Sequence, residues 1–362
     1  MIPLIKTLLP KKEELMPRLE EVLYSGYIAQ GEVVDEFEVE FSNFIGAKNC
    51  LSVNSGTSAL HIALILAEVK KGDEVISTAI TAEPTNTVIT QIGAKIVWAD
   101  IDLDTGNLCP DSVESKITAR TKAIMAVDYA GTPIDIKRFL QLEKKYNIPV
   151  IQDSAHALGA TYKNKKLGSH FKYTTFSFQA IKHMTTIDGG MICIKDDEEF
   201  ERAKLIRWFG IKKGVSRFEN DIKTQGYKYH MNNVNATIGL VQLKNIEDIL
   251  NKYVENGQYY DAQLKNIKGL ELLKYYEDSQ PSYWFYTLKV ERRAEFIKVM
   301  SENGIMASEV HKRNDVHSIF SDFKTVLPKV DEFEKTWVHI PSGWWVSKAD
   351  RKKIVDCIKN GW

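Results

Sequence analysis

Between Cys50 and Ile194 the chain alternates short apolar runs with stretches of helical patterning, and this alternation limits its possible folds more than any other feature. The runs are Cys50–Val53, Glu74–Thr78, Lys95–Ala99, Ala123–Asp128, Val150–Asp153, Thr174–Phe178 and Met191–Ile194, several of them rich in Val and Ile. Strands covered on both faces read this way, and parallel neighbours need crossovers long enough to hold a helix. The pattern predicts an α/β fold: βαβ units around a mostly parallel sheet flanked by helices.

With 362 residues, 44% of them hydrophobic, the chain can bury a sizeable core, and a change of texture divides it. We expect a large α/β domain over 1–240 and a small α+β domain over 241–362, the first thirty or so residues packing beside the latter. Past Asn232 a single long helix is expected from Val234 to about Leu264, because Ile238, Val241, Leu243, Ile246 and Leu250 fall near helical spacing. Strand-like Tyr283–Val290, a helix around Ala294–Asn303 and a charged closing helix from Lys348 complete the small domain.

Forty-eight basic residues balance forty-eight acidic ones, so no net field draws the chain to nucleic acid or an anionic membrane. A small-molecule ligand is the better expectation. No apolar run is long enough for a membrane span, and Met1–Pro10 lacks the core of a signal peptide. The scattered Cys50, Cys109, Cys193 and Cys357 read as reduced thiols of a cytoplasmic protein.

Three segments carry chemistry. In Ser52-Val53-Asn54-Ser55-Gly56-Thr57-Ser58-Ala59-Leu60 a strand meets a Ser/Gly/Thr turn that opens a helix, which suits an anion; taken alone, an ordinary N-cap by Ser55 or Thr57 is the better explanation. Pro149-Val150-Ile151-Gln152-Asp153-Ser154-Ala155-His156 sets a carboxylate at the end of a buried parallel strand, where ligands of open α/β sheets bind, or where Asp153 caps a helix. Thr174 to Met184 delivers Lys182 from the end of another strand, five residues after the Ser177 hydroxyl; alone, such a lysine is a solvated surface charge. Together the anion turn, the acid and the amine match the phosphate, pyridine nitrogen and aldehyde of pyridoxal 5'-phosphate.

Read as a set, these segments resemble the DegT/DnrJ/StrS-type nucleotide-sugar aminotransferases of the aspartate-aminotransferase (type I) fold. The likeness runs from Ser25-Gly26-Tyr27-Ile28-Ala29-Gln30-Gly31 through the Asn54–Leu60 turn, Gly131-Thr132-Pro133-Ile134-Asp135 and Asp153-Ser154-Ala155-His156-Ala157-Leu158-Gly159-Ala160 to Gly226-Tyr227-Lys228-Tyr229-His230-Met231-Asn232. The resemblance implies that Gly56 and Thr57 hold the phosphate with help from Ser177, that Asp153 pairs with the pyridinium, that His156 sits beside the 3-hydroxyl, and that Lys182 is the Schiff-base lysine. It also implies a homodimer whose shared sites receive His230 from the neighbour, where the family often has asparagine or arginine; a packed structural histidine is the other reading.

One departure is plain: where the family carries a ring-stacking aromatic, the chain has Ala82, in Thr81-Ala82-Glu83-Pro84. Tyr27, Glu83 and Arg313 are further candidates for substrate contact, Arg313 because a guanidinium fork suits a phosphate or a carboxylate, although a surface salt bridge explains it as well. The implied reaction is transfer of an amino group from L-glutamate to a nucleotide-linked keto sugar, a 4-keto-6-deoxyhexose, by way of pyridoxamine 5'-phosphate. A relative that removes the sugar's 3-hydroxyl replaces the lysine by histidine, and His183 directly follows Lys182. A cofactor-binding regulator without catalysis is a further alternative.

Overall fold

The computed structural model describes residues Met1 to Trp362. Its main sheet comprises β1 (Cys50–Val53), β2 (Glu74–Thr78), β3 (Lys95–Ala99), β4 (Thr121–Val127), β5 (Val150–Asp153), β6 (Tyr173–Ser177) and β7 (Gly190–Ile194), ordered β1-β7-β6-β5-β4-β2-β3. Every pairing among β2 to β6 is parallel, and β7 alone runs against both its neighbours, β1 and β6. The mostly parallel α/β sheet read from the sequence is therefore present, with strand limits within two residues of those expected. The largest discrepancy is at β4, which starts at Thr121: that residue pairs with Glu74 before a bulge shifts the register between Glu74 and Val75.

The crossover helices follow local rules. In Ile136–Tyr146 the Asp135 carboxylate accepts from the Arg138 amide at 3.0 Å, Lys144 and Lys145 occupy the last turn, and Asn147 closes the helix in the left-handed region. It buries Ile136, Phe139 and Leu142 against the sheet, about 1.5–3 kcal/mol for each side chain removed from water. The Gly56–Leu66 helix is different, since residues on all its faces are buried, as expected of a helix inside a core.

The expected single helix over Val234–Leu264 is two: Asn233–Leu243 and Ile246–Gln263. Asn245 leaves helical geometry (φ −117°, ψ 11°), and its amide bonds back to the Gln242 carbonyl at 3.1 Å. The break lets Ile238 and Val241 pack on Leu15, while Tyr260 reaches a second apolar cluster. That cluster lies around a three-stranded sheet, β8 (Leu270–Leu272), β9 (Tyr286–Val290) and β10 (Trp337–Ile340), covered by the helices Arg293–Glu302 and Lys348–Lys359. The N-terminal segment divides its contacts: Ile2 bridges Ile305 beside this sheet, whereas the helix Lys12–Tyr24 packs against Asn233–Leu243. No helix is long and apolar enough to cross a membrane.

Candidate active site

The carboxyl ends of β1, β2, β5 and β6 share one edge of the main sheet, and there a cavity of about 370 Å³ opens. Its walls include Gly56 and Thr57 after β1, Ala82 and Glu83 after β2, Asp153 at the end of β5, and Ser177 at the end of β6. His156 and Lys182 complete the set read from the sequence, and His311 joins from the C-terminal half. Open α/β sheets bind ligands on this edge because loops from successive strands diverge there.

The turn after β1 is built to face an anion. Ser55 caps the Gly56–Leu66 helix, its hydroxyl accepting from the Ser58 amide at 3.1 Å, so the free amides and positive end of the helix dipole lie at Gly56 and Thr57. A side chain at Gly56 would place Cβ 2.9 Å from Ser177 Cβ, so the glycine lets the turn close against Ser177. Gly190 is tighter still, because a Cβ there would lie 2.6 Å from the Ser55 carbonyl group and 2.7 Å from the Gly56 amide. Gly190→Ala is therefore expected to push the turn outward and weaken pyridoxal phosphate binding at least tenfold, measured by absorbance titration, together with a lower melting temperature.

Asp153 is buried and bonded at both oxygens, to the Thr85 hydroxyl at 2.8 Å and the Ala155 amide at 3.1 Å. Burial raises its pKa, an effect opposed by these bonds and by the Lys182 charge. A cationic ring nitrogen would favour its ionised form. Burial also lowers Lys182 to about 7, only partly offset by Asp153, so a substantial neutral fraction of this amine exists near neutral pH.

His156 is held well below its ordinary pKa, first by burial and then by the Lys182 charge. Its Nδ1 is the acceptor for the Ala130 amide at 3.4 Å, which assigns the ring proton to Nε2 and leaves a donor. An anion turn, a buried carboxylate, an imidazole N–H and a partly neutral amine in one cavity suit the phosphate, pyridine nitrogen, 3-hydroxyl and aldehyde of pyridoxal phosphate.

Other candidates are placed differently. Arg313 does not offer its fork to a ligand: Nε and Nη2 bind Asp315 at 2.7 Å each, and Nη1 bonds Asp331 and Glu334. These bonds, Asp315 foremost, raise its pKa, and they fasten the 313–316 segment to the Pro328–Phe333 helix and the residue after it. Next to it Asn314 docks on the loop after β2, bonding the Ala79 and Thr81 backbone and the Asn86 amide, and this brings His311 into the cavity wall. Of the two readings of Arg313 the structure has the salt bridge: a buried guanidinium paired with buried Asp315 and with the exposed carboxylates of Asp331 and Glu334.

Glu83 both lines the cavity and opens the Glu83–Gln91 helix, its carboxylate 3.8 Å from His317 Nε2. Ala82 presents no aromatic face; the rings near Lys182 belong to Trp284 and His156. Tyr27 is exposed and His230 packs edge-on against Trp208 at 4.3 Å with its Nδ1 buried and unpartnered; neither lines this cavity. Burial lowers His230 to about 4. His183 is also outside the lining, its Nε2 bonded to the Ser282 carbonyl at 3.1 Å.

Two further residues bear on the site: His311, from the run His311-Lys312-Arg313-Asn314-Asp315 whose basic groups suit a sugar diphosphate, and Trp284, which the sequence reading placed only within the strand-like Tyr283–Val290. His311 lies parallel to His156, ring centroids 5.7 Å apart, with a buried Nε2 that has no partner, and burial lowers it to about 4. Trp284 lies under the Lys182 amine. Only the aromatic character of Trp284 inside an otherwise ordinary segment could have drawn notice.

Comparison with known proteins agrees with this geometry. The model of the DegT/DnrJ/EryC1/StrS aminotransferase family matches residues 10–359. The crystal structure of the sugar aminotransferase CalS13 from Micromonospora echinospora superposes with a TM-score of 0.96 at 36% identity, covering 100% of both chains. The putative sugar aminotransferase Spr1654 from Streptococcus pneumoniae, known in PMP and PLP forms, superposes at 0.89 in each, with 29% and 28% identity and at least 98% of both chains covered. The spore coat polysaccharide biosynthesis protein SpsC of Bacillus subtilis is 33% identical over 313 residues, 83% of this chain and 80% of its own length. The chain is thus an enzyme of the pyridoxal-phosphate-dependent DegT/DnrJ/EryC1/StrS aminotransferase family.

Proposed function

We propose that the protein transfers the amino group of L-glutamate to a nucleotide-linked keto sugar, a 4-keto-6-deoxyhexose, giving an amino sugar nucleotide. The observation that carries the reading is the convergence of Lys182, Asp153 and the Gly56–Thr57 turn on one cavity. The sugar aminotransferase CalS13 and the polysaccharide biosynthesis protein SpsC support the acceptor class.

In this reading Gly56, Thr57 and Ser177 would hold the cofactor phosphate, the Asp153 carboxylate would accept from the ring N–H, and the His156 Nε2–H would donate to the 3-oxygen. Lys182 joins the cofactor through its amine. When bound, pyridoxal phosphate supplies an electron sink for the pair left behind when the donor's α-proton departs. Lys182 Nζ, when free, would take that proton from Cα and later return one to the sugar carbon. A proton acceptor must be neutral, so activity is expected to fall below about pH 7 as the Lys182 amine protonates. A pH–rate profile of kcat with no acidic limb would contradict this role.

Exposed Tyr24, Tyr27, Phe218 and Ile222 support a homodimer, with Tyr27 and His230 directed to the neighbour's site and its phosphate. We place the enzyme in the cytoplasm, with reduced cysteines. The position of His183 against Ser282, away from the cavity, argues against a sugar 3-dehydratase. Incubation with glutamate and a panel of nucleotide-linked keto sugars, followed by mass, tests the proposal: conversion of a carbonyl to an amine on a 4-keto-6-deoxyhexose supports it. Loss of water from the sugar, or no change across the panel, would overturn it.

A further inference from the structure

Trp284 and Phe285 are the two residues that lead into β9, yet the Trp284 ring does not pack with the second sheet. Its neighbours Tyr283 and Tyr286 belong to that sheet's apolar cluster, whereas Trp284 and Phe285 are buried in the cluster of the main sheet. The backbone achieves this by a left-handed turn at Tyr283 (φ +49°), an uncommon conformation for a bulky residue. Two bonds to the main-sheet side clamp the turn, Ser282 amide to Gly131 carbonyl at 2.9 Å and Phe285 amide to Ala130 carbonyl at 3.3 Å.

The ring placed in this way makes three contacts around one group. Its indole N–H donates to the Ile181 carbonyl at 3.0 Å, directly before Lys182. One face stacks on His156, centroids 4.1 Å apart at 26°, and Lys182 Nζ lies 3.9 Å from the ring centroid. An indole face attracts an ammonium group, most strongly where water is excluded.

We propose that Trp284 is a positioning residue: its face receives the Lys182 amine whenever that amine is not joined to a carbonyl, and keeps it in the cavity beside Asp153. The proposal rests on the reading of Lys182 as the reactive amine. A lysine stem has many rotamers, and a freed amine that wandered among them would have to be recaptured in each half of a transamination. The other groups facing Nζ do not provide such a seat. His156, His311 and His183 are held neutral by burial, Glu83 and Asp188 stand at the cavity wall, and Asp153 is the third carboxylate of the lining, its oxygens already bonded to Thr85 and the Ala155 amide.

The test uses the cofactor-free full-length chain and labels Lys182 competitively with acetic anhydride across pH, read by peptide mass. Because the indole face favours the charged amine, Trp284→Leu is expected to move the half-labelling pH of Lys182 downward by about half to one and a half units, while Trp284→Phe, which keeps an aromatic face, moves it much less. If the leucine variant does not fold, as judged by circular dichroism, Trp284→Met removes the same face from a comparable volume. An unchanged midpoint without the ring, or an equal shift in the phenylalanine variant, would overturn the proposal. Borohydride reduction of the wild-type protein with pyridoxal phosphate separates the two readings: an adduct on Lys182 leaves only the role of Trp284 in question, and an adduct elsewhere overturns the assignment of Lys182 and the role of Trp284 with it.

Discussion

Lys182→Ala is expected to abolish transamination, with kcat lowered by at least about 10³-fold, and to leave no borohydride-stable cofactor adduct on the chain. Two functions disappear with one side chain, the covalent hold and the proton transfer at Cα. The fold should survive, because burial of this amine is a cost and Lys182 belongs to no apolar cluster. Soluble protein with an unchanged circular dichroism spectrum and noncovalently bound cofactor is the expected state. Added methylamine or ethylamine should restore part of the rate, since a small base can enter the space vacated by the stem. Retention of more than a few per cent of the wild-type rate in the absence of added amine would remove Lys182 from the mechanism.

The largest stability effect is expected at Arg207, beneath β1. Its Nη1 binds the Glu38 carboxylate and the Ser52 carbonyl, the latter at 2.9 Å, and Glu38 also accepts from the Ser52 amide at 2.9 Å and hydroxyl at 2.7 Å. Arg207 is 5% exposed, so Arg207→Met would leave a nearly buried carboxylate without its cation. Such a half-broken pair costs about 3–5 kcal/mol, whereas neutralising both members costs far less. Denaturant unfolding should therefore show a large loss in Arg207→Met and recovery of most of it in the double variant Glu38→Gln/Arg207→Met, in which the introduced amide oxygen can still accept from Ser52. A double variant no more stable than the single one would show that the ion pair is not the source of the loss.

The main sheet was legible because strands covered on both faces become uninterrupted apolar runs, and Val150–Asp153 needed only its composition to be placed to the residue. The anion turn, Asp153 and Lys182 were legible for a related reason: each stands at the carboxyl end of such a run, so finding the strand located the residue. The break at Lys244–Asn245 was not, because the spacing from Ile238 to Leu250 continues across it: Leu240 before the break and Ile246 and Leu250 after it join one apolar cluster, and only further on does Tyr260 reach another. Arg313 stayed open between a ligand contact and a salt bridge because its partners lie 18 and 21 residues further along, as well as two, and a guanidinium on its own does not reveal what it binds. Trp284 and His311 depend on contacts between segments more than a hundred residues apart, which no local pattern records.

The docking of Asn314 on the loop after β2 has an evolutionary consequence. Through it the segment around His311, tied by Arg313 to the Pro328–Phe333 helix, sets the mouth of the cavity, while the strand ends that would grip the cofactor belong to a different part of the chain. Descendants of such a chain could exchange the residues around His311 and His317 and try new acceptors while inheriting the chemistry intact. The price of that freedom is a single shared hinge-pin: an Asn314 replaced by a residue unable to donate to Thr81 would loosen the inherited floor and the variable wall together.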